Sequence, residues 1–219
     1  MWPASYPLWE EAPVDSWRYQ FVKRAFDLSC ALIMLMLVAI PGIFIAAMIV
    51  LTSEGPVFYR EQRVGRGGRS FRIWKFRSMR QNAAQRSHIG DARPGGKVLM
   101  WRMRKDLRDP RITWVGRYLR SWSLDELPQL LNVLCGEMSL IGPRPIVEAE
   151  TVFYGNLLPF YLAAVPGLSG LWQVSGRSKV DYAKRARLDA KYVQSWSLTA
   201  DLGILLRTIP AVLGRIGAS

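Results

Sequence analysis

Between Leu28 and Ser53 the chain runs 26 residues without a charge, bracketed by Asp27 and Glu54. About 20 helical residues suffice to cross the hydrocarbon of a bilayer. The run exceeds the apolar core of a signal peptide and no small-residue cleavage site follows it, so it is expected to stay in the mature protein. Pro41-Gly42 falls at its centre. Proline removes a backbone donor and crowds the preceding turn, which predicts a sharp break there. Arg18, Lys23 and Arg24 precede the run, and Arg60, Arg63, Arg66 and Arg69 follow it. Cytoplasmic ends attract Lys and Arg, so a spanning helix would leave one basic flank on the wrong side. A helix-break-helix that enters the cytoplasmic leaflet and returns satisfies both signals, each half being about 13 residues or roughly 20 Å long. A single kinked transmembrane helix is the other arrangement these residues allow.

The formal net charge is +13, and its excess is concentrated. From Arg60 to Arg120 there are 18 Lys and Arg against four acids, Glu61, Asp91, Asp106 and Asp109. Such a block favours a polyanionic partner: nucleic acid, anionic lipid or a nucleotide-type substrate. The two cysteines, Cys30 in the apolar run and Cys135 on an expected helix, lack the spacing of a zinc site or a disulfide framework. Both are expected as small buried hydrophobes in a reducing compartment. The single histidine, His88, lies in a polar stretch without an evident partner, which argues against histidine-based catalysis.

The 219 residues suit one catalytic unit with an appendage. The divisions expected are a lead-in over 1–22, a re-entrant membrane hairpin over 23–54 and a catalytic domain over 55–219. The fold class is mostly α with a small β element (α+β), the globular part lying on the cytosolic face with interfacial amphipathic helices. Val57–Arg63 and Phe71–Met79 are β-prone and separated by the glycine-rich turn Gly65–Gly68, which predicts a hairpin. Within the second piece, Lys75 and Arg77 are candidate site residues because apolar neighbours would pin them. Gln81–Gly96 is expected as a loop. Helices are predicted around Gly116–Arg120, Glu126–Cys135, Val147–Tyr161, Val180–Trp196 and Ala200–Arg215, the fourth with its apolar residues as a core-facing stripe. The lead-in, with Trp2, Tyr6, Trp9 and Trp17, is expected to be a flexible or interface-lying segment.

The adjacent acids Asp125 and Glu126 stand in Ser121–Gln129, S-W-S-L-D-E-L-P-Q. Ser123 and Glu126 have capping-box spacing, and Pro128 suits a first helical turn, so the pair has a structural reading as a helix start. A helix N-terminus also favours phosphate, so the structural and chemical readings coexist. Arg120 precedes the acids, and Pro143-Arg144-Pro145 and Gly167–Arg177 (G-L-S-G-L-W-Q-V-S-G-R) follow. The prolines on either side of Arg144 imply a placed guanidinium.

This ordered set resembles the bacterial sugar transferases, the monotopic polyprenol-phosphate phosphoglycosyl transferases. The resemblance runs from K-R-x-F-D at Lys23–Asp27 through the proline-broken hairpin, G-P-V-F-Y-R at Gly55–Arg60, K-F-R-S-M, S-L-D-E-L-P-Q and E-M-S-L-I-G-P-R-P to the final G-R. One departure is Ile40, where relatives often carry a serine before the hairpin proline. Larger relatives place several transmembrane helices ahead of this module, so the chain is expected to be the minimal catalytic form or a fragment of the longer one.

The resemblance implies a ping-pong transfer. An aspartate matching Asp125 attacks the sugar-bearing phosphate of a UDP-sugar, releases UMP and forms a phosphosugar–aspartate, which undecaprenyl phosphate then resolves. Asp125 and Glu126 are thus the implied catalytic pair, with Glu126 as metal support or proton acceptor. Arg120, Arg144, Arg177 and Lys75 are the implied phosphate-binding set. Mg²⁺ is the implied cofactor, contacted by Asp125. Lys23, Arg24 and Pro41 are the membrane-anchoring residues, the two cations holding lipid head groups in the cytoplasmic leaflet of the bacterial inner membrane. A homodimer is compatible, and no nucleic-acid partner is expected. Two rivals remain open: a scaffold subunit of polysaccharide assembly with a dead site, and a membrane-tethered nucleic-acid-binding protein, which the arginines alone favour without any groove-reading or stacking motif.

Overall fold

A computed structural model describes residues 19–80, 109–176 and 180–214, together with Val14, Ser16 and Trp17. Arg177, His88, the 81–96 loop and most of the 1–22 lead-in lie outside the described residues.

After a π-helical turn at Tyr19–Lys23, helix α1 runs from Arg24 to Thr52. The break expected at Pro41 does not divide it, because Pro41 sits inside one continuous helix. A proline costs a helix one hydrogen bond without ending it when packing holds the flanking turns. That packing is visible along α1: Cys30, Ala31, Met34, Leu35 and Val38 meet one core cluster, and Ile45, Ala46 and Ile49 meet another. These positions recur at three- and four-residue intervals, the stripe of an α-helix lying on a body. The opposite face is apolar and uncovered, with Met36, Leu37, Ile40, Ile43 and Phe44 all more than 60% exposed.

Both ends of α1 are fastened to the body. Lys23 Nζ lies 3.0 Å from Asp27 and 3.0 Å from Asp201. Arg24 donates to the carbonyls of Val133 (2.5 Å) and Leu134 (2.7 Å). The head-group role expected of Lys23 is thereby corrected: its ammonium is buried between two carboxylates, where a buried cation must be paired. At the far end Arg77 Nη2 donates to the carbonyls of Ile49 (3.3 Å) and Ser53 (2.7 Å). Those acceptors lie in the last turn and at the C-cap of α1, so Arg77 fastens the end of that helix.

Strands β1 (Phe58–Val64) and β2 (Ser70–Phe76) form the expected antiparallel hairpin, registered from Phe58↔Phe76 to Val64↔Ser70. Helix α2 (Trp114–Ser121) begins at Thr113, whose hydroxyl accepts from Gly116 N. Gly116 lets α2 touch the strand end, since a Cβ there would stand 2.0 Å from Ser78 O. Helix α3 (Gln129–Cys135) stops at Gly136, which takes the left-handed conformation (φ 82°) that favours glycine. Asn132 joins α3 to the hairpin: Trp74 N donates to its Oδ1 at 2.9 Å, and its Nδ2 donates to Arg72 O at 2.8 Å. Cys135, the last residue of α3, is exposed, contrary to expectation, because it sits at the helix end beside the Gly136 turn.

The predicted helix over Val147–Tyr161 is instead a series of turns. Two 3₁₀ segments, Glu148–Phe153 and Gly155–Leu157, lead into helix α4 (Leu158–Ala163). Gly155 has φ +48°, which interrupts a right-handed helix, and Pro159 restarts one at its first turn. These turns are flanked by a parallel pair that the sequence did not reveal, β3 (Ser139–Ile141) before them and β4 (Gly167–Ser169) after. A short helix α5 (Leu171–Val174), then α6 (Tyr182–Gln194) and α7 (Leu198–Leu213), complete the described chain. The buried face of α6 carries Arg185 and Asp189 beside Ala186, Ala190, Tyr192 and Val193, so its stripe is not purely apolar. Tyr19 and Val14, from the lead-in, belong to the core. Apolar side chains are exposed on α2, at Trp114 and Tyr118, and on α7, at Leu202, Leu206 and Ile209.

Candidate active site

The segment after α2 sets the acids in place. Ser123 has φ 55°, a left-handed conformation unusual for a residue with a side chain, and it reverses the chain out of α2. A 3₁₀ turn, Leu124–Glu126, follows, and Pro128 then opens α3. The capping box expected of Ser123 and Glu126 is not formed. Glu126 N donates to the Ser123 carbonyl instead (3.2 Å), and Ser123 supplies no side-chain cap. Asp125 is only 4% exposed, while Glu126 turns toward a narrow cleft.

Across that cleft, Lys75 Nζ of β2 stands 4.0 Å from Glu126 Oε1. Burial lowers the Lys75 pKa from the ordinary lysine value; Glu126, and more weakly Glu61 and Asp125, pull it back. Burial alone would raise the pKa of Glu61, yet Arg63 and Lys75 outweigh it and hold that carboxyl below its usual range. The cleft is also lined by Arg144, Gln129 and Gln173.

Arg144 is positioned by backbone contacts on both sides of its loop. Before it, Gly142 N donates to Ser169 O (2.9 Å), and Gly167 N donates to Pro143 O (2.7 Å). A Cβ on Gly167 would lie 2.0 Å from Gly142 N, and one on Gly170 would lie 2.2 Å from Gly142 O. The G-P-R-P and G-L-S-G motifs therefore meet backbone to backbone, which requires glycine on both sides. After Arg144, Val64 N donates to Ile146 O (2.9 Å), Ile146 N donates to the Tyr161 hydroxyl (3.2 Å), and Arg63 donates to Pro145 O (3.2 Å). Arg63 itself is buried and paired with Glu61.

The structure thus brings Glu126, Lys75 and Arg144 around one cleft, with Asp125 buried beside it. Arg120 is not among the cleft-lining residues: it is half-buried on α2, and its Nε donates to Ser78 Oγ at 2.9 Å. Arg177 falls outside the described residues. Gln129, the last residue of S-L-D-E-L-P-Q, and Gln173 within G-L-W-Q were not singled out from sequence, because a glutamine in a loop or first turn has no distinctive spacing. Among the described residues, no three His, Cys, Asp or Glu side chains gather into a metal cage. Two adjacent carboxylates do suit Mg²⁺, which is held by one or two carboxylates with substrate phosphates and water completing its shell.

The profile described as bacterial sugar transferase matches residues 18–215. The exopolysaccharide production protein ExoY of Rhizobium meliloti is 46% identical over 191 residues, covering 87% of this chain and 84% of that protein. The undecaprenyl-phosphate galactose phosphotransferase of Salmonella typhimurium is 46% identical over 202 residues, 91% of this chain and 42% of that protein. The UDP-glucose:undecaprenyl-phosphate glucose-1-phosphate transferase of Caulobacter vibrioides is 42% identical over 202 residues, 87% of this chain and 69% of that protein. The match spans the membrane-type helix, the acid pair and both glycine-paired loops, and the chain belongs to the bacterial sugar transferase family as an enzyme of that class.

Proposed function

We propose that this enzyme transfers a sugar 1-phosphate from a UDP-sugar to undecaprenyl phosphate, releases UMP and so begins assembly of an extracellular polysaccharide. The carrying observation is the convergence of Glu126, Lys75 and Arg144 on one cleft beside buried Asp125. The printed activities of the Salmonella and Caulobacter relatives support the same class of reaction.

In this reading an Asp125 oxygen forms a bond to the sugar-bearing phosphorus, and the bond from that phosphorus to the bridging oxygen breaks. The electron pair leaves with UMP. A phosphate oxygen of undecaprenyl phosphate then attacks the same phosphorus and frees the Asp125 carboxylate. A carboxylate is a competent nucleophile once the phosphoryl charge is neutralised; Lys75 is the cation beside the acids, and Arg144 lines the same cleft for the rest of the diphosphate. Asp125 and Glu126 would hold Mg²⁺, which when bound offsets charge on the phosphoryl oxygens. The small exposure of Asp125 keeps the acyl-phosphate linkage away from water.

The same reading places α1 in one leaflet. That both ends of the helix and its intervening stripe pack on one body supports this placement over a span across the bilayer. Its uncovered apolar face supports immersion in the cytoplasmic leaflet of the inner membrane, with the body at the head-group level. A polyprenyl acceptor, whose tail stays in lipid, then meets the cleft at the interface.

The test is UMP release from a panel of UDP-sugars by nanodisc-held protein supplied with Mg²⁺ and undecaprenyl phosphate. Wild type yields UMP with at least one donor, while Asp125→Ala and Asp125→Asn yield none. UDP in place of UMP would exclude phosphosugar transfer, and absence of either product from folded protein would favour a scaffold role.

A further inference from the structure

Behind Arg144 lies a second guanidinium, that of Arg185. Arg144 places its guanidinium carbon 5.8 Å from the centroid of the Trp172 ring, and Arg185, from α6, places its own 4.1 Å from that ring. Arg185 also lies 4.9 Å from the Tyr182 ring. Trp172 is the neighbour of Gln173, which lines the cleft. The two cations reach this indole from distant parts of the chain.

Arg185 is 8% exposed, and its Nε is buried without an acceptor. Its backbone N–H donates to Asp181 O (3.0 Å), but among the described residues its guanidinium forms neither an ion pair nor a hydrogen bond. Two further buried donors beside it, Trp172 Nε1 and the Tyr182 hydroxyl, likewise have no acceptor. The acid one turn along, Asp189, accepts from the Tyr154 hydroxyl at 2.7 Å and makes no ion pair with Arg185. Burial first, and Arg144 second, lower the Arg185 pKa from the usual guanidinium value. A guanidinium carries five N–H donors, and burying it beside a second cation without an acceptor is costly. These donors stand behind Arg144, which lines the cleft, and although Asp189 Oδ1 is also buried there without a partner, two guanidinium groups and two open donors are complementary to an anion.

We propose that Arg185 and Arg144 together form an anion site that holds a phosphoryl group of the nucleoside diphosphate donor. This rests on the transferase reading above. The phosphoryl concerned is the one that leaves with the nucleotide, because the acids and Lys75 face the one that is attacked. As the bond to the attacked phosphorus breaks, the departing phosphate gains negative charge, and paired guanidinium forks favour its departure.

The experiment is equilibrium binding of UDP to the full chain in nanodiscs, with Tm measured alongside. Arg185→Gln is expected to weaken UDP about 30-fold, the scale of one lost charged hydrogen-bonding partner. It should also raise the KM for the UDP-sugar while leaving the KM for undecaprenyl phosphate within about twofold. Arg144→Gln and Arg185→Gln together should lose less than the product of their separate effects, because both grip one group. Wild-type UDP affinity in a folded Arg185→Gln protein would overturn the inference. Should that variant not fold, Arg185→Lys keeps a cation over both rings; about tenfold weaker UDP binding supports the site, and unchanged binding overturns it. UDP bound by wild type without UMP release in the transfer assay would count against the transferase reading alone.

Discussion

Lys75 Nζ and Glu126 Oε1 stand 4.0 Å apart across the candidate cleft, linking a strand of the hairpin to the turn that carries the acid pair. The contact is partly buried on both sides, so each charge has only limited help from water. It ties the β1–β2 hairpin to the turn that carries the acid pair.

Because burial lowers the Lys75 pKa, its ammonium is lost at lower pH than that of an ordinary lysine. The alkaline limb of kcat/KM should therefore begin below the usual lysine range. Arginine, which stays charged, should move that limb upward in Lys75→Arg, and Lys75→Met should lower kcat/KM about a hundredfold. Stability takes the opposite sign. Between the lowered folded pKa and the unfolded value, the unfolded chain holds a proton that the folded one has released, so this group makes folding more favourable as pH rises. Activity loss with a steady or rising Tm would mark Lys75, whereas joint loss of both would assign the limb elsewhere.

Lys23 is shared by Asp27 and Asp201, each at 3.0 Å. Asp201 also accepts from Tyr192 (2.8 Å) and Trp196 (3.0 Å), and Leu140 N donates to Asp27 (3.2 Å). Removing only the cation strands two buried carboxylates. Lys23→Met should cost about 3–5 kcal/mol, and adding Asp201→Asn should restore part of it. Denaturant unfolding in mild detergent checks this; a loss below about 1 kcal/mol, as for an exposed pair, would place Lys23 at the surface.

The glycine contact between the two loops predicts a contrast within one residue type. Gly167→Ala forces its Cβ against Gly142 N and should destabilise by about 3 kcal/mol, displacing Arg144 and reducing UMP release at least tenfold. Gly203, inside α7, has no atom within 4 Å of where its Cβ would stand. Gly203→Ala should stabilise by about 0.5–1 kcal/mol with unchanged activity. Equal Tm shifts for the two alanines would remove the close approach as the reason for Gly167.

Much of the site was legible because its chemistry is carried in short linear groups. The S-L-D-E-L-P-Q, K-F-R-S-M and P-R-P motifs supplied Asp125, Glu126, Lys75 and Arg144, and three of those four line or flank the same cleft with Asp125 buried alongside. Arg185 and Asp189 were hidden in a helix whose apolar spacing pointed to a plain core face. A periodic pattern reports which side of a helix is buried, but not that a cation on that side lacks a counter-charge.

By itself the sequence determined the class of elements: an uncharged run long enough for a membrane, a hairpin set by its glycine turn, helices set by apolar spacing, and an acid pair among cations. Those signals are local, fixed by residues within a few positions of one another. Tertiary structure decided what those elements share. Only there does Pro41 prove tolerable inside a helix, because a stripe from Ala31 to Ile49 is held against the body. Only there do Lys23 and Arg77 become fastenings of that helix, and Gly142 and Gly167 become one contact. These outcomes depend on which distant groups compete for a buried charge or an open carbonyl, and that competition exists only once the chain is packed.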